Sequence, residues 1–322
     1  MNKSIFYYLL IASLVLMPCY SGAQKISPKV KKILFLGNSI TWQGNYINDI
    51  ETYLISRNPG KNYEIINAGL PSETLSGLSE SGHAGGSFPR PDLAERLERV
   101  LDKIKPDLVF ACYGMNDGIY LPFDNNRFQQ FKEGIQRLRN YVIKSGATLI
   151  HLTPPDYDEL KGKSAGYAAV LDRYTDWLLN QRQTLKWEVI DVHYPMKRYL
   201  QARRKKEVNS TSEVFALAPD GIHPNETGHW IMAREVLKYL GYKDVHHAGI
   251  MESLAPAKHT TELLKMVTTR QVMMRDAWLT ATRHIRPGLP TGLALEEAQA
   301  KYKQMSAEIG ALLHTKPRSD GK

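Results

Sequence analysis

With 322 residues and 43% hydrophobic content, the chain carries enough apolar material for one large core with an appendage, or for two small domains; this excludes a disordered tail and a small disulfide-stapled scaffold. The formal net charge of +9 suits an acidic partner or plain solubility. The densest basic run, Arg203-Arg204-Lys205-Lys206, has no interleaved aromatics and no nucleic-acid module around it, so DNA and RNA binding are set aside. No Cys/His cluster has metal-ligand spacing, His246-His247 reads as a surface pair, and neither a metal nor a cofactor is expected.

Residues 1–23 follow the pattern of a secretory signal peptide: Lys3, an apolar run from Ile5 to Leu16, Pro18, then Ser21-Gly22-Ala23 before Gln24. The run is too short for a membrane span. Cleavage is expected after Ala23, giving a periplasmic or secreted protein with no stable membrane insertion. Cys19 then leaves with the peptide, and Cys112 remains as a single thiol, so no intramolecular disulfide forms. Cys112 lies in the apolar run Leu108-Val109-Phe110-Ala111-Cys112-Tyr113 and is read as a buried small hydrophobe, not a nucleophile.

The apolar run Ile33-Leu34-Phe35-Leu36 reads as a first strand, broken by Gly37-Asn38-Ser39-Ile40, and residues 45–57 read as a helix. Ser39 therefore falls at the carboxyl end of a strand, where open α/β sheets bind ligands. Residues 63–67 give a second strand. Residues 69–91 form a long loop rich in Gly, Ser and Pro, of the kind that is usually functional. Asp92 caps the next helix, with Leu93, Leu97, Val100, Leu101 and Ile104 on one face. Residues 108–113 are a third strand, ending in the turn cluster Gly114-Met115-Asn116-Asp117-Gly118. A helix over 128–144, a strand over 148–152, a helix over 167–180 and a short strand over 187–190 follow. An irregular segment then ends in Pro219-Asp220-Gly221-Ile222-His223-Pro224, before a helix over 226–240.

Strands alternating with helices imply parallel βαβ units and a doubly wound sheet. After Val245 the pattern becomes purely helical. Leu263, Val267, Met274 and Trp278 form one stripe, and Leu295, Ala298, Tyr302, Met305, Ile309 and Leu312 form a heptad-like seam on a second helix. The expected organisation is a signal peptide over 1–23, a catalytic domain over 24–244, and a helical hairpin over 245–322 whose stripe is a packing surface and a candidate homo-oligomer contact.

Ester hydrolysis by a hydroxyl nucleophile needs a base, a carboxylate to orient it and donors for the oxyanion. Ser39, Asp220 and His223 supply the first three: the acid and the imidazole, three residues apart on one turn, allow the carboxylate to hold Nδ1–H while the other nitrogen faces Ser39. Asp191-Val192-His193 is a competing acid–histidine pair, disfavoured because its spacing splays the side chains in an extended chain and because Pro195 follows. His83 reads as a surface or substrate-lining residue, and Asp117 as a carboxylate that braces its loop.

In four ordered blocks the chain resembles the SGNH superfamily of GDSL-type hydrolases: Gly37-Asn38-Ser39-Ile40, Asn67-Ala68-Gly69, Gly114-Met115-Asn116-Asp117 and Asp220-Gly221-Ile222-His223-Pro224. Taken singly these residues could be a helix cap, turn glycines and a capping amide; in order they match the family. The resemblance implies a flavodoxin-like three-layer sandwich with a central, mostly parallel five-stranded sheet. It also implies Ser39 as nucleophile, His223 as base and then acid, Asp220 as its orienting group, and an oxyanion hole of the Ser39 and Gly69 N–H groups with the Asn116 amide. Asn38 stands where the family usually has Asp, which touches only local hydrogen bonding. The expected substrate is a small-molecule or polysaccharide ester: the export signal, and a polar loop with no apolar lid, favour a carbohydrate acetylesterase. A lipase or arylesterase of the same superfamily, or a catalytically silent glycan-binding protein, are the alternatives.

Overall fold

The computed structural model describes residues 26–61, 63–207, 214–245, 249–255 and 259–314. The expected signal peptide, Cys19 and the His246-His247 pair lie outside the described residues. Five strands form the sheet: β1 (Lys32–Gly37), β2 (Glu64–Asn67), β3 (Leu108–Cys112), β4 (Thr148–Leu152) and β5 (Glu188–Ile190). Their order is β2-β1-β3-β4-β5 and every pairing is parallel. Within β1 and β3 each residue from Ile33 to Leu36 and from Leu108 to Cys112 is buried, as expected of central strands covered on both faces by helices. The register sets Gly37 beside Cys112 and Phe35 between Asn67 and Phe110, so β1, β2 and β3 deliver their following loops to the same end of the sheet.

The helices are α1 (Ser39–Gln43), α2 (Asn45–Arg57), α3 (Leu97–Ile104), α4 (Asn125–Lys144), α5 (Tyr167–Thr184), α6 (His193–Lys206), α7 (Glu226–Tyr239), α8 (Ile250–Ser253), α9 (Thr260–Ala281) and α10 (Leu295–His314). Among these described helices none is long and apolar enough to cross a membrane. Helices α1 and α8 fall where no helix is expected from the sequence, and two more depart from the expectation. Asp92 caps a 3-10 turn at Leu93–Glu95, not α3 itself, accepting from the Ala94 N–H at 2.9 Å. The break falls at Arg96, whose buried guanidinium turns inward to pair with Glu73 and to donate to Ala68 O at 2.8 Å. The second is α6, which occupies much of the stretch expected to be irregular. Pro195 sits in its first turn, where a missing N–H is harmless. Thr153 Oγ1 accepts the Val192 and His193 N–H groups at 2.9 and 3.1 Å, and Asp191 Oδ1 accepts from Tyr194 N at 3.1 Å.

On α9, Leu263, Val267, Met274 and Trp278 are all buried, as their spacing predicts. On α10 only Ala298 and Ile309 of the expected seam are buried, the other four being half-buried. Helix α9 also carries polar groups into the α/β body. Arg270 donates to Glu51 Oε1 at 2.8 Å, Gln271 donates to Glu51 Oε2 and Ile65 O at 2.6 and 2.9 Å, and Arg275 donates to Trp42 O at 2.9 Å.

Candidate active site

The site begins where β1 stops. At Gly37 a Cβ would lie 2.1 Å from Thr41 Oγ1 and 2.8 Å from Cys112 O, so only glycine lets the chain turn sharply into α1. Asn38 closes that turn by accepting from the Ile40 N–H at 3.1 Å, as an N-cap does. The Asn that replaces the family's usual Asp thus keeps the local hydrogen bond. Ser39 becomes the first residue of α1, a position whose N–H has no acceptor inside the helix.

The loop before α7 meets it. His223 Nε2 lies 2.9 Å from Ser39 Oγ, and His223 Nδ1 lies 2.6 Å from Asp220 Oδ2. With Nδ1–H donated to the carboxylate, Nε2 presents its lone pair to the serine hydroxyl. Asp220 Oδ1 is engaged too, accepting the Ile222 and His223 N–H groups at 2.9 and 2.8 Å. Partial burial alone would raise the Asp220 carboxyl, but hydrogen bonds from the His223 ring and from these two N–H groups outweigh it and hold the acid below its ordinary range. The pair is open to solvent, with 42% and 53% of the His223 and Asp220 side chains exposed.

Asn116 is 3% exposed and its amide is fixed at both ends. Nδ2 donates to Glu73 O at 3.1 Å, and Oδ1 accepts from Tyr120 OH at 3.0 Å. Nδ2 thus keeps one further N–H for a ligand. Behind it, Asp117 accepts from the Leu75, Ser76 and Gly114 N–H groups at 2.7, 2.8 and 2.9 Å, the loop brace its position predicts.

Gly69 requires a correction. Its single N–H is donated to Asn67 Oδ1 at 2.9 Å, which leaves none for an oxyanion. What demands glycine here is packing, since a Cβ would lie 2.4 Å from Trp42 N and 2.7 Å from Thr41 C. Three residues on, Leu70-Pro71-Ser72-Glu73 forms a β-turn closed by Glu73 N donating to Leu70 O at 3.2 Å. Ser72 sits in it at φ +69°, the i+2 position of a type II turn that usually takes glycine. The Ser72 N–H has no partner among the described residues. The turn is held beside Asn116 by the Glu73 O contact and by the buried Glu73–Arg96 pair, to which Tyr113 OH adds a hydrogen bond of 2.6 Å. Sequence reasoning missed Ser72; Pro71 in the turn's second position was the available signal.

The competing residues are placed elsewhere. His193 is fully buried, with Nδ1 3.1 Å from Pro154 O and Nε2 2.8 Å from Asp172 Oδ1, and Lys197 bonds the same carboxylate. It ties β4 to α5 and α6. His83 pairs with Glu80 at 3.2 Å and meets the Phe88 ring edge-on. Cys112 is buried, its thiol pushed up to about 12 by burial, as expected of an inert core cysteine. Among the described residues no three His, Cys, Asp or Glu side chains gather so as to hold a metal ion.

Solved structures share this architecture. A catalytic mutant of the acetylxylan esterase Axe2 from Geobacillus stearothermophilus is 22% identical with a TM-score of 0.52, over 68% of this chain and 97% of that one. An α/β hydrolase, LAE5, from the metagenome of Lake Arreo, Spain, is 24% identical with a TM-score of 0.50, over 66% and 95%. A gut microbial diltiazem-metabolizing enzyme is 23% identical with a TM-score of 0.54; 69% of this chain is covered, and about half (49%) of that one. At such identities the likeness establishes the fold. No curated protein sequence matches the chain. Residues 35–231 match the GDSL-like lipase/acylhydrolase family, a span that runs from β1 into α7 and takes in Ser39, Asn116, Asp220 and His223; the chain belongs to that family of carboxylic ester hydrolases.

Proposed function

We propose that the protein is an exported serine esterase that removes acetyl groups from a carbohydrate through an acyl-enzyme. The observation that carries the reading is the chain of contacts from Ser39 Oγ to His223 Nε2 and from His223 Nδ1 to Asp220 Oδ2, at 2.9 and 2.6 Å. Ser39 attacks the ester carbonyl as His223 takes its proton, and Asp220 stabilises the imidazolium that results. The tetrahedral oxyanion is received by the Ser39 N–H, the free N–H of Asn116 and the Ser72 N–H. His223 then returns its proton to the leaving alcohol, and a water repeats the sequence on the acyl-enzyme.

The carbohydrate reading rests on the shape of the mouth. Gln43, Pro219, Asp220, His223, Pro224 and Asn225 border an open depression of about 360 Å³ beside the base, which leaves room for a bulky, hydrated alcohol. The acetylxylan esterase among the structural neighbours is consistent with that choice. Release of acetate from acetylated xylan, pectin and peptidoglycan, set against release of long acyl chains from p-nitrophenyl esters, tests it; cleavage of long-chain esters alone overturns it.

A further inference from the structure

A second cavity lies next to the triad. It measures about 450 Å³ and is lined by Asn48 and Asp49 of α2, Glu226, Thr227 and Trp230 of α7, and Leu264 of α9. Asn45 also lines it, while Gln43 and Asn225 border the triad's mouth. At both places the linings of the two cavities come within one or two residues of each other, which sets the second cavity beside the first, between α2 and α7.

Its polar groups are not spent on the fold. Asn48 and Asp49 are 4% and 8% exposed, yet neither side chain has a hydrogen-bond partner among the described residues. Burial, with the Glu226 charge beside it, pushes the Asp49 carboxyl up to about 7. The polar atoms of Asn48 and Asp49 are left to meet whatever fills the cavity. A favourable interaction with the helix dipole accounts for Glu226 in the first turn of α7; it does not account for the unpartnered Asn48 and Asp49 side chains that line the cavity. The lining mixes acceptors and donors from Asn48, Asp49, Glu226 and Thr227 with the apolar Trp230 and Leu264. That combination matches a sugar ring, whose hydroxyls both donate and accept and whose C–H face is apolar.

The geometry points to this cavity as a subsite for a sugar unit of the alcohol half of the substrate, one or two rings from the acetylated oxygen. This rests on the carbohydrate-esterase reading above, but binding here requires no catalysis.

The test uses the full chain and calorimetric titration with unacetylated xylo-, cello-, chito- and galacturono-oligosaccharides, beside turnover of p-nitrophenyl acetate. The subsite predicts that at least one series binds. It predicts that Asp49→Asn and Glu226→Gln each weaken that binding about tenfold, roughly 1.4 kcal/mol, while p-nitrophenyl acetate turnover stays within about twofold. Asp49→Asn leaves the packing volume unchanged and removes a buried charge, so its melting temperature should hold or rise; Glu226→Gln lies at the helix end and serves as the second variant. Absence of binding by every series, binding unaffected by both substitutions, or binding of only the amine-bearing, deacetylated chito-oligosaccharides overturns the proposal. Ser39→Ala separates the two claims. Loss of turnover with no oligosaccharide binding leaves the esterase and removes the subsite; unchanged turnover with substitution-sensitive binding does the reverse.

Discussion

At the scale of single residues, the site is a set of atoms whose other obligations are already met. Asp220 uses Oδ1 on two backbone N–H groups and Oδ2 on His223, so the imidazole is held in one tautomer without strain on the loop. Asn116 uses one N–H and its carbonyl oxygen for positioning and has one N–H left over. Removing one such donor typically costs on the order of 10²–10³ in turnover, so Asn116→Ala should lose about that factor in kcat, with a lowered melting temperature because Glu73 O and Tyr120 OH lose their partner. Gly69 and Ser72 make a contrasting pair. Gly69→Ala drives a methyl into the Thr41–Trp42 backbone, and should destabilise the protein by about 1–3 kcal/mol, as read by urea unfolding. Ser72→Gly relieves a left-handed residue at φ +69°, and should raise stability by up to about 1–2 kcal/mol while kcat is kept, because the backbone N–H remains.

At the scale of elements, the strands and most helices could be read from runs and spacing. β1 and β3 are continuous apolar segments because both faces are covered, and α2 and β4 run over the same residues that the sequence pattern marks. What was not legible depends on partners distant in sequence. The break before α3 exists because Arg96 reaches Glu73, and α6 starts where it does because Thr153 takes two of its first N–H groups. Gly69 was assigned by block order, and no pattern could show that Asn67 consumes its N–H. The polar residues of α9 were equally silent: Arg270 and Glu51 are 3% and 2% exposed and pair at 2.8 Å. Removing one member of a buried pair leaves the other uncompensated and costs about 3–5 kcal/mol. Arg270→Ala should therefore unfold at a much lower urea concentration. Replacing both members with apolar residues should recover most of the loss.

At the scale of the whole molecule, the sheet's carboxyl end carries Ser39 after β1, the Ser72 turn after β2 and Asn116 after β3, and the loop before α7 brings His223 to Ser39. Two buried histidines outside the site contribute to the acid response. His151, stacked on Trp187, and His229, stacked on Tyr46, are pushed down to about 3 by burial, His229 also by His223 and His151 by Arg139. Their unfolded value is about 6.5, so between about 6.5 and 3 the unfolded chain binds more protons and stability falls as pH falls. Asp49 and Asp156, raised by burial to about 7 and about 6, work in the opposite sense, losing stability as pH rises from about 4 to 7, so the histidine contribution is read from the variants that remove it. The melting temperature should drop on acidification below about 6.5, and the slope should flatten in a His151→Phe, His229→Phe double variant. The central claim, that Ser39 is a nucleophile activated by His223, is tested most directly by p-nitrophenyl acetate turnover. Wild type should release p-nitrophenol through an acyl-enzyme on Ser39 detectable by mass spectrometry of the quenched protein, and Ser39→Ala should fall to the uncatalysed rate. Equal rates for the two proteins, or an acyl group found on another residue, would contradict it.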